Sequence, residues 1–313
     1  MTRTANLEDL YAIVQPSQPA LSPDGHRVAY ALTRADRTTD TITSALWVAD
    51  AGQPPRALTH GPGDTSPAWA PDGSRLAFVR DGQLWLLPAG GGEPEQVTDL
   101  PLGVGAPVWS PDGQRIAFAA PVARGPAAGG AAQRAAAPIV ADGLGYQADG
   151  DGFIAGMWLQ VHVVDVADGR VRQLTDAPAH ATSPAWAPDG THLVFVARPA
   201  GQDDLSFRSA VHRIDATQPK ARPRVVAFAG GHAGTCSYTP DGDHLVVVGW
   251  TGEPVGNAGL FLVDLTGARP PRNLAAGLDR NLMPGAPGYP GALPQFTADG
   301  GTVVFAVRDA GCT

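Results

Sequence analysis

A short motif recurs six times along the chain and limits the folds that the chain can adopt. Residues 66–78 read S-P-A-W-A-P-D-G-S-R-L-A-F, and similar stretches occupy residues 107–118 and 183–195. The turn aspartates of the six copies are Asp24, Asp72, Asp112, Asp189, Asp241 and Asp299, at spacings of 48, 40, 77, 52 and 58 residues. Such periods are typical of repeat architectures. The spacing of 77 predicts an insertion inside the third repeat.

Each position of the motif has a local physical role. Proline before the aspartate and glycine after it suit a type I turn that ends on a left-handed residue, and such a turn closes a tight β-hairpin. A large apolar residue stands three positions before each aspartate, and apolar residues four and six positions after it alternate as in a strand with one buried face. The residues before the turns are Leu21, Trp69, Trp109, Trp186, Tyr238 and Phe296.

Two further strands follow most of the hairpins. We predict third strands at residues 46–50, 83–87, 161–165, 211–215 and 260–264. Short fourth strands are predicted at Leu58-Thr59, Val97-Thr98, Leu174-Thr175, Val225-Val226 and Leu274-Ala275. Four antiparallel strands in roughly 40 to 50 residues make a propeller blade, whereas a β-sandwich would not need the same turn six times. The sequence therefore predicts an all-β propeller with five blades and the first half of a sixth at residues 295–307.

Two segments depart from the repeat. Leu7, Leu10, Tyr11 and Val14 have helical spacing ahead of Pro16, so we predict a short amphipathic helix within residues 1–16 and a propeller over residues 17–313. Residues 121–137 are rich in alanine, glycine and proline, which favours a mobile insertion in the third blade and early cleavage there by proteases.

Charge and composition disfavour several classes of partner. The net charge is -8, and Lys220 is the only lysine, so nucleic acid is not an expected partner. The sequence shows neither a signal peptide nor a long apolar run, which favours a cytoplasmic protein without a membrane partner. Cys236 and Cys312 lack metal-ligand spacing, and we expect neither a disulfide framework nor a cofactor.

Two segments add specificity to the repeat. Residues 146–154 (Y-Q-A-D-G-D-G-F-I), which lead into 161–165, and residues 272–280 (R-N-L-A-A-G-L-D-R) are similar to segments of prolyl-oligopeptidase-family serine peptidases, in the acylaminoacyl-peptidase branch. The resemblance extends over essentially the whole chain. It implies a seven-bladed propeller that acts as a size filter above an α/β-hydrolase domain, whose Ser-Asp-His triad cleaves short peptides. The triad would lie beyond Thr313, so this chain is expected to be inactive alone, with the hydrolase domain and short peptides as partners.

The residues themselves support no catalytic, cofactor or metal site. A hydrolase of that kind needs a G-x-S-x-G elbow, and no serine has glycine two residues before and after it. Five histidines (His26, His162, His192, His212 and His244) are interpreted as strand residues, and His60, His180 and His232 as loop residues without a role. Asp149-Gly-Asp-Gly152 lacks the spacing of a calcium loop. A self-standing TolB-like binding scaffold remains the alternative function.

The sixth repeat also gives an expectation about association. Only two strands of it are present before Thr313, so the ring is expected to stay open. Residues 303–307 would then present unpaired backbone groups beside apolar side chains, which is a template for pairing with another chain. We therefore expect self-association of the chain, or only marginal stability, when its hydrolase partner is missing.

Overall fold

A computed structural model describes residues 4, 6–124, 138, 140, 143–148, 152–198, 205–286, 289–297 and 299–309. Within these ranges the chain is almost entirely β-structure, apart from a 3-10 helix at Leu7–Ala12. None of the helices in the described ranges is long and apolar enough to cross a bilayer.

Five four-stranded antiparallel sheets follow one another along the chain, and we number them blades 1 to 5. Blade 1 contains β1 (Val14–Leu21), β2 (Arg27–Asp36), β3 (Thr41–Asp50) and β4 (Arg56–Ala57). Blade 2 contains β5 (Thr65–Trp69), β6 (Arg75–Arg80), β7 (Gln83–Pro88) and β8 (Glu95–Gln96). The first strands of successive blades contact one another, as the inner strands of a propeller do.

Blade 3 is interrupted between its second and third strands. It contains β9 (Val108–Trp109), β10 (Arg115–Ala123), β13 (Met157–Asp165) and β14 (Val171–Gln173), with a small hairpin of β11 (Gln147–Ala148) and β12 (Gly152–Phe153) in the interruption. Blade 4 contains β15 (Ala181–Trp186), β16 (His192–Ala197), β17 (Ala210–Asp215) and β18 (Arg224–Ala227). Blade 5 contains β19 (His232–Tyr238), β20 (His244–Trp250), β21 (Gly259–Asp264) and β22 (Arg272–Asn273). The outer strands have two to four residues, which leaves little exposed edge.

The Asp-Gly turns have the predicted geometry. In the first, Gly25 has a φ of 73° and its N–H donates to Ser22 O at 2.9 Å, while the Ser22 hydroxyl donates to Asp24 Oδ1 at 2.5 Å. That hydroxyl bond lowers the pKa of Asp24. The carboxylate therefore stabilises the fold above the pKa of an unfolded aspartate, and this contribution is lost as the pH falls through the lower folded value.

Successive turns also pack on one another. A Cβ atom built on the glycine of one turn would lie 3.5–3.9 Å from the proline ring of the preceding turn. The five pairs are Pro23 with Gly73, Pro71 with Gly113, Pro111 with Gly190, Pro188 with Gly242 and Pro240 with Gly300. Because the last pair includes Gly300, the sixth repeat continues the same circular arrangement.

The turn glycines give a prediction about stability. Gly113 has a φ of +68°, so Gly113→Ala should destabilise the fold by about 1–2 kcal/mol through left-handed strain. Gly63 is the control, because it lacks a positive φ and a Cβ there would meet nothing within 4 Å. Gly63→Ala should be neutral or stabilising by about 0.4–1 kcal/mol. Urea unfolding of the two variants is the measurement, and equal losses would contradict this account of the turn.

The three tryptophans that precede the turns connect neighbouring blades. Trp69, Trp109 and Trp186 are 8, 9 and 7 % exposed. Their indole N–H groups donate across the blade boundary to the backbone carbonyls of Ala20, Ala68 and Val108, at 3.1, 3.0 and 3.0 Å. The predicted core role of these residues is confirmed, and each also forms a polar tether between blades.

The sixth repeat is built from two-stranded pieces. Its turn hairpin joins β26 (Gln295–Phe296) to β27 (Val303–Val304), as predicted, and β23 (Asn281–Leu282) pairs with β28 (Val307–Arg308). Between β23 and β26 the chain makes an excursion that contains β24 (Pro284–Ala286) and β25 (Tyr289–Gly291). Phe296, Val303, Phe305 and Val307 pack against blade 5, so this unit extends the propeller beyond its fifth blade.

Three sequence predictions need correction. The helix ends at Ala12 and β1 already begins at Val14, because Val14 pairs with Arg34. Pro121, at the start of the predicted insertion, still belongs to β10; residues 125–137 lie outside the described residues. Most fourth strands lie one or more residues before the predicted positions, which are occupied instead by the connection to the next blade. They match only in blade 4.

Candidate interface on the loop face

Because the strands within each blade are antiparallel, their connections lie alternately on two opposite faces of the propeller. One face, the turn face, carries the Asp-Gly turns and the connections between third and fourth strands. The opposite face, the loop face, carries the connections between second and third strands and the connections from one blade to the next. The turn face carries the same Asp-Gly turn in every repeat, whereas the connections on the loop face differ in length from blade to blade.

Exposed apolar side chains gather on the loop face. Among the described residues, eighteen large apolar side chains are exposed, and fourteen of them lie in segments at this face. They are Leu7, Leu10, Tyr11, Ile13, Val14, Ile42, Val140, Leu144, Tyr146, Phe153, Leu205, Phe207, Val255 and Leu278. Scattered single residues of this kind are normal, but a concentration on one face indicates an interaction surface.

Two hairpins project from the loop face. In blade 1, β2 and β3 have ten residues each, whereas β6 and β7 of blade 2 have six, so blade 1 extends roughly 13 Å further at about 3.3 Å per residue. The 3-10 helix lies against this extension, where Arg37 sits 5.8 Å from the Tyr11 ring centre. In blade 3, β10 and β13 are also long, and their excursion carries Tyr146 and Phe153 as stacked, exposed rings 6.4 Å apart.

Hydrogen bonds between threonine and glutamine side chains hold the connections of this face to the blades. In blade 2, the Thr98 hydroxyl donates to Gln83 Oε1 at 2.9 Å and accepts the Leu84 N–H. In blade 3, the Thr175 hydroxyl donates to Gln160 Oε1 at 2.8 Å and accepts the Val161 N–H. From the repeat pattern, Thr98 and Thr175 were predicted only as the ends of fourth strands. The sequence feature that could have indicated these hydrogen bonds is a glutamine fifteen residues before each threonine.

A buried ion pair fixes the connection between blades 1 and 2. Asp64 is fully buried, and both of its carboxylate oxygens accept from Arg80, at 2.7 and 2.8 Å. The Arg80 guanidinium lies over the neighbouring rings of Phe78 and Trp85, 5.2 and 5.4 Å from their centres. The bond to Asp64 raises the pKa of Arg80. This pair joins the connection between blades 1 and 2 to strand β6, next to the blade 1 extension.

The histidines have structural surroundings. His162 and His212 stack on Phe118 and Phe195 across neighbouring strands, and burial lowers the pKa of both histidines, as expected for packed residues. His180 accepts the Leu159 N–H, and burial lowers its pKa as well. These three side chains stabilise strands and connections in their neutral form.

His26, His192 and His244 stand at the turn face. His26 directly precedes β2, while His192 and His244 open β16 and β20, so all three lie at or beside the strands to which the pattern assigned them. His60 is exposed in the connection that follows β4, where it was predicted.

One serine–histidine contact occurs on the loop face. Ser209 Oγ lies 3.3 Å from His232 Nδ1, and His232 begins strand β19 rather than lying in a loop. The hydroxyl donates to Ala233 O at 2.7 Å, and the same histidine nitrogen also contacts Phe207 O. This arrangement connects blades 4 and 5 and leaves the serine proton in a backbone hydrogen bond, so it is not an activated nucleophile.

The remaining candidate residues carry no chemistry in the described part of the chain. Cys236 is a free, buried thiol, and burial raises its pKa to about 12. Asp149, Asp151 and Cys312 lie outside the described residues. Within the described ranges, no group of three His, Cys, Asp or Glu side chains converges as a metal site would require. The apolar loop face is therefore the candidate functional site.

Comparison with known proteins identifies relatives of this fold. A Bacillus subtilis (strain 168) protein, the uncharacterized peptidase YuxL, is 33 % identical over 218 residues, which cover 66 % of this chain and 33 % of YuxL. The crystal structure of Pyrococcus horikoshii acylaminoacyl peptidase superposes with a TM-score of 0.71 at 16 % identity, over 96 % of this chain and 44 % of that one. A putative TolB from Agrobacterium tumefaciens gives a TM-score of 0.55 at 18 % identity, over 83 and 80 % of the two chains.

These comparisons confirm the propeller fold and the resemblance to peptidase propellers. No protein-family model matches the chain. The chain spans one third of YuxL and less than half of the acylaminoacyl peptidase, so most of the length of both relatives has no counterpart here.

Proposed function

We propose that this chain is the propeller domain of a serine peptidase of the prolyl-oligopeptidase family, in the acylaminoacyl-peptidase branch, and that its loop face covers a catalytic α/β-hydrolase domain. The concentration of exposed apolar side chains on this face carries the proposal. Apolar surface that is exposed in a single domain and lies on one side is stabilised when a partner removes it from water.

In this proposal the propeller contributes selection rather than chemistry. It admits short peptides to the catalytic domain and excludes folded proteins, because a ring of blades that is completed in the whole protein leaves only a narrow approach. In this proposal the chain is inactive alone, and catalysis belongs to the hydrolase domain. A cytoplasmic location, association between copies of the chain and early proteolysis at residues 121–137 stay predictions.

A TolB-like binding scaffold is the second candidate function. The superposition on the Agrobacterium protein favours it, since this chain covers 80 % of that structure. The two candidates differ in what contacts the loop face: a catalytic domain of the same polypeptide in one case, and a separate protein in the other.

Active-site labelling distinguishes the two candidates. A fluorophosphonate probe should label a serine in the product of the complete gene and should leave the purified 313-residue chain unlabelled. Stoichiometric labelling of the isolated chain would contradict its non-catalytic role. A complete gene product without a reactive serine would favour the scaffold.

Substitutions on the loop face give a further prediction. Leu10→Asp with Phe207→Asp should weaken docking of the catalytic domain by about 3 kcal/mol or more. Burial of each apolar side chain on docking contributes roughly 1.5–3 kcal/mol, and the variant lacks both contributions. The control is Val225→Asp, because Val225 is 45 % exposed in the outer strand β18, away from the loop face. The measurement is kcat/KM for a short peptide in the complete gene product. An equal loss in the control would argue against docking at the loop face.

A further inference from the structure

The boundary between blades 4 and 5 differs at the tryptophan position from the three boundaries that precede it. The next boundary has Phe296 at this position, which has no polar group to donate. Three boundaries have an indole N–H that donates to a carbonyl of the preceding blade. At the boundary of blades 4 and 5, the equivalent residue is Tyr238, which is 8 % exposed. Its hydroxyl is buried and has no hydrogen-bond partner. The polar tether at the turn face is therefore missing here.

A second exchange occurs at the same boundary. Two residues before the end of the third strand, blades 1, 2 and 3 have Val48, Leu86 and Val163. Each of these packs in one cluster with the tryptophan of the next blade. Blade 4 has Arg213 at this position, and its Nε atom is buried without a partner. An apolar contact with tryptophan is thus replaced by an arginine facing a tyrosine.

The loop-face end of this boundary is firmly connected. The Ser209 N–H donates to Gly231 O at 3.1 Å, and the Ala233 N–H donates to Ser209 O at 3.0 Å. Ser44 makes the corresponding bridge between blades 1 and 2, where Trp69 also holds the turn-face end. The loop-face end of the boundary between blades 4 and 5 is therefore hydrogen-bonded, whereas its turn-face end is held by packing, such as that of Pro188 on Gly242. The boundary between blades 1 and 2 is hydrogen-bonded at both ends.

Buried polar groups without partners favour opening of a boundary. A buried donor that lacks an acceptor carries an uncompensated desolvation cost, which is removed when water reaches it. Tyr238 and Arg213 both gain water if the turn-face end of their boundary separates. At the boundary of blades 3 and 4, separation would instead break the bonds from Trp186 to Val108 O and from Arg115 to Gly190 O.

We propose that the propeller opens between blades 4 and 5 at the turn face, pivoting on the Ser209–Ala233 bridge, while blades 1 to 4 remain one block. The motion exposes Tyr238 and Arg213 to water and creates a lateral passage through the ring. A role of this passage in peptide entry rests on the proposed function, whereas the opening itself does not depend on it.

Cys236 reports on this opening. It is 7 % exposed, it belongs to the apolar cluster that joins blades 4 and 5, and its Sγ lies 3.9 Å from Ser183 O of blade 4. In a Cys312→Ser background, a disulfide reagent should label Cys236 faster than the chain unfolds globally. Arg213→Val with Tyr238→Trp restores the pairing of the other boundaries, and it should slow the labelling about tenfold or more by removing two unsatisfied groups.

The control places a thiol at a tethered boundary. Ala117 is fully buried in the cluster that joins blades 3 and 4. Ala117→Cys, in a chain with Cys236→Ala and Cys312→Ser, should be labelled only at the rate of global unfolding. Should the double variant fail to fold, Tyr238→Phe removes the hydroxyl alone and should still slow the labelling of Cys236. Labelling of Cys236 at the global unfolding rate, equal rates at the two boundaries, or no effect of the substitutions would overturn the proposal. No peptidase activity enters this test.

Discussion

Replacing Trp186 with alanine should lower the free energy of unfolding by about 3–5 kcal/mol, because it removes a large buried side chain and leaves a cavity between blades 3 and 4. Trp69→Ala and Trp109→Ala should have effects of the same size, since all three residues occupy equivalent places. The measurement is denaturant unfolding monitored by circular dichroism.

A conservative variant separates packing from the tether. Trp186→Phe keeps most of the apolar surface but leaves the carbonyl of Val108 without its indole donor, so it should cost about 1–3 kcal/mol. Ile42→Ala is the control, because Ile42 is 76 % exposed and its loss should stay within about 0.5 kcal/mol. A cost under about 1 kcal/mol for Trp186→Ala would show that this residue does not hold the blades together.

The second large effect is expected at the buried ion pair. Asp64→Ala should destabilise the chain by about 3–5 kcal/mol, because it leaves the mostly buried Arg80 guanidinium without its partner. Asp50→Ala is the control: Asp50 pairs with Arg56 at 3.9 Å near the surface, and such a pair contributes at most about 1 kcal/mol. If the two variants lost similar amounts of unfolding free energy, burial would not be the reason for the large contribution of the Asp64–Arg80 pair.

A double variant completes the ion-pair experiment. Asp64→Asn with Arg80→Met removes both charges, so no unpaired ion remains buried, and the loss should be smaller than that of Asp64→Ala alone. Additive losses of the two single changes would mean that the two side chains act independently.

The sequence predicted the parts of the fold that depend on neighbouring residues. The Ser22–Gly25 turn, the tryptophans before the later turns and the third strands all follow from short-range pattern, and all are present. The extent of the N-terminal helix was less predictable. Val14 fits the helical spacing, but its pairing with Arg34 of β2 places it in a strand.

The candidate site was harder to foresee, because it depends on residues far apart in the chain. Leu10 and Phe207 come to the same face only through the order of the blades. Asp64 and Arg80 are sixteen residues apart and belong to no motif. Arg213 could have been noticed as the one charged residue among apolar equivalents, but its importance depends on the tyrosine of the next blade.

The most direct test of the proposed function compares hydrogen exchange in the isolated chain with that in the complete gene product. If the loop face covers a catalytic domain, the segments around Leu10 and Phe207 should exchange more slowly in the complete product, and the Asp-Gly turns should be unchanged. Protection confined to the turn face, or no protection on either face, would contradict the proposal.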